Sequence, residues 1–369
     1  MWIDPAIQKT LSLVLLMGIG ILIRSKIKSK EALSGVKVLI LSLALPATIF
    51  IALLKIEVDT SLLYLPLGAI LFNLLFLSIA FKGMPLLGFK KGGSTYRTML
   101  MLLPSLAPGL SCFPFLLEYF GDESLAMAAL ADVGNKVFVL VLLYLLAMHW
   151  YYQGREKAKT GGRLKELCLS LIKEPVNLVI LTALILLGFG LSFKKLPVFL
   201  QSSIGSMSAM MTPMILIFIG MAVKIKWDQF RKILQLLMIR SGLAFLFSAF
   251  LLFMFPQVTP VLLIVFVVFP QSSCSFWPFA HMAAVNQLEE GEPNNTFDLD
   301  LGLGVLACSL PFSCLLILAI CSMGSVFVSP WVLILSAGSM ITFAILLGIK
   351  PYLSFRPETH ASMEEVKTG

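Results

Sequence analysis

The sequence predicts an all-α polytopic membrane protein of two inverted five-helix repeats, with broken helices 4 and 9 and one extra C-terminal helix. Three observations carry that prediction. Hydrophobic residues make up 58% of the 369 residues and charged residues only 13%, against roughly 25% charged in soluble domains. Apolar runs near the length of about 20 residues that spans a bilayer recur along the whole chain. Proline-centred segments recur five spans apart, which relates two halves of the chain.

By length and hydropathy the runs number about eleven. They are Ile7–Ile23, Val36–Leu54, Ser61–Phe81, Met99–Leu117, Ser124–Trp150, Val176–Phe193, Met207–Val223, Ile233–Phe255, Pro260–Val285, Phe297–Cys321 and Trp331–Ile349. Cationic loops follow spans 1, 3, 5 and 7, and the C-terminal tail adds Lys350, Arg356 and Lys367. The opposite loops hold Lys9, Lys55, Lys194 and Lys195. By the positive-inside rule the N-terminus is outside and the C-terminus cytoplasmic. The acidic loop Glu289–Asn295 lacks basic residues and is neutral, because acids contribute little to the rule. The net charge of +8 follows this topology instead of forming a basic face, so no nucleic-acid partner is expected. No cleavable signal is evident, since the first charge cluster follows the first apolar run. The cysteines lie mostly in apolar runs without a CxxC pair, which implies neither disulfides nor a zinc site.

The repeat is carried by prolines. Pro46 in span 2 is followed by Asp59, and Pro213 in span 7 by Asp228. Span 4 carries Pro104 and Ser111-Cys-Phe-Pro-Phe115, while span 9 carries Pro270 and Ser275-Phe-Trp-Pro-Phe279. An offset of five spans places the halves in opposite orientations, as in many secondary transporters. Span 4 packs Pro104, Pro108, Gly109 and Pro114 into one run, and span 9 has Pro270 and Pro278. Proline removes a backbone donor and clashes with the preceding turn. Both spans are therefore expected to be broken. Unwound backbone in a membrane is tolerated where protein or a wet cavity satisfies it. Two breaks at corresponding places indicate a substrate site. The candidate binding residues are Ser105, Pro108, Gly109, Ser111, Pro114, Gln271, Ser272, Ser273, Ser275 and Pro278.

Asp132, Asn135 and Lys136 share one face of span 5. Asp132 and Lys136 stand i,i+4, the better order for a helical ion pair. Charges within a membrane helix are costly and mark function by default. Lys136 would attract a carboxylate, or Asp132 would couple protons; alternatively the two form an ion pair that locks span 5. Arg240, about two turns into span 8, is expected to snorkel toward the headgroups. His281 is expected to be a packed, satisfied histidine. Asp298 and Asp300 are expected to cap span 10.

Taken in order, these residues resemble the auxin efflux carrier family, which is related to the bile-acid/sodium symporter fold. The resemblance covers roughly Ile7 to Cys321. It rests on Leu45-Pro-Ala-Thr-Ile-Phe50, on Gly109 with Phe113-Pro-Phe115 and the acidic Tyr119–Glu123, on Asp132 and Asn135, and on Ala307-Cys-Ser-Leu-Pro311. It implies two inverted sets of five helices, with broken helices 4 and 9 crossing. It further implies a scaffold of spans 1, 2, 6 and 7, an elevator-type core of spans 3–5 and 8–10, and export or exchange of small organic anions, in some members as a homodimer. Ala107-Pro108 departs from the asparagine that often opens the family's first crossover. The last span is an addition.

The expected organisation is 1–150 for the first repeat, 151–175 for a basic cytoplasmic loop, 176–323 for the second repeat, and 324–369 for the extra helix and tail. The expected function is a cell-membrane permease for small organic anions, without cofactor or metal. The alternatives are a sodium-coupled symporter and a non-transporting sensor. No HExxH, GxSxG or paired catalytic acids occur, so no enzyme and no catalytic residues are expected.

Overall fold

The computed structural model describes residues 5–27, 29–55, 64–153, 175–222, 227–289 and 295–349. Asp59, most of the basic loop after span 5, residues 290–294 of the acidic loop and the tail from residue 350 lie outside the described residues. Among the described residues the regular elements are all helical. Eight helical segments are long and apolar enough to cross a membrane, joined by the shorter apolar helices Leu11–Ile23 and Leu178–Gly188. The chain is a multi-pass helical membrane protein.

In chain order the helices are α1 (Pro5–Ile23), α2 (Lys30–Leu39), α3 (Leu45–Lys55), α4 (Tyr64–Leu86), α5 (Ser94–Leu102), α6 (Pro108–Ser111), α7 (Phe113–Val137), α8 (Leu143–Tyr152) and α9 (Pro175–Gly188). They continue with α10 (Val198–Ala209), α11 (Met211–Ala222), α12 (Trp227–Met254), α13 (Pro260–Val268), α14 (Phe276–Leu288), α15 (Leu299–Met323) and α16 (Pro330–Ile349). The expected eleven runs map onto these with one clear shift of bounds. Span 7 begins at Val198, earlier than expected, because the serines and Gln201 of α10 mask an apolar segment. The two spans expected to be broken are each divided, span 4 among α5, α6 and the front of α7, and span 9 between α13 and α14.

Proline chemistry explains the divisions. The first turn of a helix has no use for its backbone N–H groups, so proline is tolerated there. Pro108 starts α6, Pro114 lies in the first turn of α7, and Pro278 in the first turn of α14. Span 2 adapts differently. Between α2 and α3 a π turn, Ile40–Ala44, immediately precedes Leu45-Pro46, and Leu45 N–H reaches back to Ile40 O. The wider turn accommodates the missing donor and the bulk of the ring. Inside α7, Gly121 has φ 79° and ψ −169°, a backbone that side chains disfavour. Ser124 Oγ pins this corner by donating to Gly121 O (2.8 Å) and Leu116 O (3.0 Å).

Packing groups many of the helices into two sets, which meet where α3 packs on α7. In one, α1 packs on α11, and α3 on α9 and α10. In the other, α4 and α13 pack on α7, and α16 on α12. The α1–α11 contact is backbone on backbone. A Cβ at Gly20 would lie 2.1 Å from Ile217 O, and one at Gly220 would lie 2.0 Å from Met17 O. Close approach of small residues replaces the hydrophobic drive that lipid cannot supply. Gly20→Val or Gly220→Val should therefore separate the pair at a cost of about 1–3 kcal/mol. The purified protein should melt at a lower temperature. Gly18→Val, where a Cβ would meet nothing within 4 Å, should leave the melting temperature unchanged.

Candidate functional site

The two non-helical stretches, after α5 and before α14, lie against one another. Ala107 N–H donates to Ser273 O (2.8 Å). Ser273 N–H donates to Ser111 Oγ (3.0 Å), and Ser275 N–H to Ser105 Oγ (3.0 Å). Each stretch thus satisfies backbone groups of the other. Neighbouring helices supply further partners. Asn135 donates from Nδ2 to Leu106 O (2.9 Å) and accepts from Leu106 N–H at Oδ1 (3.3 Å). It also accepts from Asn73 Nδ2 (3.0 Å) and donates to Asp132 Oδ1 (2.8 Å). Ser309 Oγ accepts from Cys274 N–H (3.3 Å), and Gln271 Nε2 donates to Ser241 O (3.1 Å). Gly134 makes the asparagine pair possible. A Cβ there would lie 1.9 Å from Pro66 O, so α7 and α4 touch through their backbones and bring Asn135 to Asn73.

A cleft of about 350 Å³ opens where the stretches meet. Its wall takes Leu106 to Leu110 from the first stretch and Ser273 to Trp277 from the second. Asp132, Asn135, Lys136 and Val139 come from α7 and the π turn that follows it (Phe138–Leu142). Lys37, Leu41 and Leu45 come from span 2, Phe218 from α11, and Leu306 and Leu310 from α15. Asp132 and Lys136 face each other at 3.4 Å with side chains only 7% and 9% exposed. Both line the cleft and pair, so the two alternatives for them are not exclusive.

Of the residues expected to bind substrate, Pro108, Gly109, Ser273 and Ser275 are on the cleft wall. Ser105, Ser111, Gln271 and Ser272 are buried, the two first-stretch serines within the junction itself. Pro114 and Pro278 are buried in the first turns of their helices. Arg240 differs from expectation. It does not snorkel: at 4% exposure it donates from Nε to Leu103 O (2.8 Å) and from Nη2 to Ser105 O (3.2 Å). Carbonyls freed by the end of α5 attract it more than the headgroups, as a helix C-terminus attracts a cation. His281 is buried, with Nε2 3.1 Å from Val139 O and its ring edge-on to Tyr144. Asp298 caps α15 by accepting from Leu301 N–H (2.9 Å). The described cysteines, Cys112, Cys274, Cys308, Cys314 and Cys321, are free buried thiols. Among the described residues no group of three His, Cys, Asp or Glu side chains could hold a metal.

No family model matches the chain. Over 196 residues it is 27% identical to an uncharacterized transporter of Methanocaldococcus jannaschii. The match takes in 51% of this chain and 59% of the archaeal protein, so the chain spans little more than half the length of that relative.

Two residues of the site escaped the sequence reading. Lys37, at the edge of the basic segment between spans 1 and 2, was not among the candidates, yet it lines the cleft with its Nζ 4.4 Å from the centre of the Phe276 ring. Its helical spacing to Leu41 and Leu45 was the available signal. Asn73, fully buried, was visible as the one amide side chain in an apolar run. Removing the asparagine strap should be expensive. Asn135→Ala strands the Leu106 N–H and C=O and Asn73 Nδ2, at about 1–3 kcal/mol for each orphaned group. The expected result is a marked fall in melting temperature in detergent, with a smaller fall for Asn73→Ala.

Proposed function

We propose that this chain is a secondary transporter of small organic anions, most readily carboxylates, working by alternating access with an elevator-type core. The observation that carries the reading is the cleft formed where two interrupted helices meet, with Asp132 and Lys136 on its wall. Non-helical backbone at membrane depth is typical of transporter substrate sites. The similarity to an archaeal transporter supports the same class.

The proposed organisation is two inverted repeats, 1–150 and 176–323, joined by the loop 151–175 and followed by a helix and tail over 324–369. It draws support from matched irregularities. The π turn Ile40–Ala44 precedes Pro46, and a turn at Met210 precedes Pro213. Span 1 packs on span 7 as span 6 packs on span 2. Spans 1, 2, 6 and 7 form the scaffold in this reading, and the other repeat helices form the moving core. It places the protein in the cell membrane with the N-terminus outside, and a homodimer through the scaffold accords with it.

Sodium coupling is the second reading. Gln271 Oε1 and Ser241 Oγ are buried without a hydrogen-bond partner among the described residues. Such oxygens suit a hard cation.

Counterflow in proteoliposomes with labelled organic acids tests the carrier. Saturable exchange of an acid without an ion gradient is the expected result, and strict dependence on sodium would favour the second reading. Correctly folded protein that exchanges no acid would sink both in favour of a sensor. Alternating access also makes a local prediction. Lys55 of α3 and Asp122 of α7 pair at 2.7 Å across the two sets of helices. Lys55→Asp should change the exchange rate by about two- to fivefold, the scale of an exposed ion pair. The reversed pair, Lys55→Asp with Asp122→Lys, should restore it.

A further inference from the structure

The charged residues on the cleft wall are Lys37, Asp132 and Lys136. Asp132 and Lys136 neutralise each other at 3.4 Å. Lys37 faces no carboxylate among the described residues; its contact is the Phe276 ring, 4.4 Å from Nζ. The wall therefore carries one uncompensated positive charge. A cation over an aromatic face holds less tightly than a cation on a carboxylate. Phe276 is half exposed at the start of α14, so it can yield the ammonium to an incoming anion. Ser273, also on the wall, has a hydroxyl with no hydrogen bond among the described residues. Most of the remaining wall is apolar, with Leu41, Leu45, Phe218 and Leu310 among its residues.

We infer that Lys37 is the anion-binding residue of this cleft and that it selects ligands bearing a single negative charge on an apolar body. The inference rests on the carrier reading and sharpens it. A second anionic group would find no cation of its own, because Lys136 is matched by Asp132. It would lose its hydration against leucine and phenylalanine, which is unfavourable without a partner. A neutral analogue would leave the Lys37 ammonium on Phe276 and gain only apolar contact. Lys37 belongs to span 2 and Phe276 to span 9, so the anion would replace a contact between the two sets of helices. Binding would thereby loosen one tie across the seam.

Cyclohexanecarboxylate, cyclohexane-1,4-dicarboxylate and cyclohexanecarboxamide separate charge from shape. Their binding to the full chain in nanodiscs, and counterflow of the labelled monoacid, would be measured for wild type, Lys37→Met and Lys37→Arg. The monoacid should bind wild type at least about tenfold more tightly than the diacid or the amide. Lys37→Met should lose that margin while melting as wild type does, and Lys37→Arg should keep most of it. Unchanged monoacid affinity in Lys37→Met overturns the assignment to Lys37. Equal affinity of wild type for monoacid and diacid overturns the selection for a single charge. Either result, alongside exchange of some acid by wild type, leaves the carrier standing. Folded wild type that neither binds nor exchanges any acid of the wider panel overturns the carrier and this inference together.

Discussion

Hydrocarbon offers no hydrogen bonds, so every backbone group released from a helix in the membrane must find a partner within the protein. The rest of this structure is arranged around that constraint. Prolines end α5 and start α6, and the freed groups between them are claimed by Asn135, Arg240 and the opposing stretch. The second interruption is held in the same way by Ser105, Ser111 and Ser309. Polar side chains that look scattered in the sequence are thus assigned to specific orphaned backbone groups. The cleft follows from this, because helices that stop and restart leave space that continuous helices would fill.

The same constraint decides where charge is tolerated. Arg240 is buried with no carboxylate partner among the described residues, but it sits at the C-terminal end of α5, where carbonyls and the helix dipole favour a cation. Asp132 and Lys136 are buried as a pair, one turn apart on one helix. Removing either would leave an uncompensated buried charge, which costs far more than the pair itself contributes. Lys37 stands apart from both arrangements. Its partner is an aromatic ring that water or a ligand can reach, so its charge stays available in a way the other two cations do not share.

Much of the fold was legible because its determinants are local. A helix interior loses a hydrogen bond at each proline, so the clustered Pro104 and Pro108 and the matched Pro270 and Pro278 announced the interruptions from sequence alone, although a single proline such as Pro311 is carried inside α15. The Asp132–Lys136 pair was legible for the same reason, since i,i+4 spacing fixes proximity. What escaped depends on contacts between distant residues. Arg240 looked like a snorkelling cation because nothing near it in sequence reveals that α5 ends beside it. Lys37 was hidden by its position beside a basic loop. Gly134 gave no signal, because the demand for glycine comes from Pro66 on another helix. Span 7 was misplaced at its start because serines in α10 dilute an apolar run that tertiary packing still accepts.

The two kinds of helix contact also differ in what they permit. At Gly20 and Gly220 the α1–α11 crossing is backbone against backbone, and nothing there can give. At Gly109 the closest neighbour of a notional Cβ is Leu45 Cδ2, at 3.1 Å, the far end of a flexible side chain. That second contact lies between span 2 and the first interruption, on the seam where the proposed motion would occur. Across the same seam α3 packs on α7 through buried apolar side chains, and two polar contacts tie span 2 as well, the exposed pair Lys55–Asp122 and the Lys37–Phe276 contact. Both belong to classes worth about 1 kcal/mol or less at exposed sites. A seam made of side-chain contacts can repack as it slides, which interlocked backbones cannot do. The proposed alternating access would need its movable contacts on this seam, and the cleft, walled by residues of both sets, lies along it.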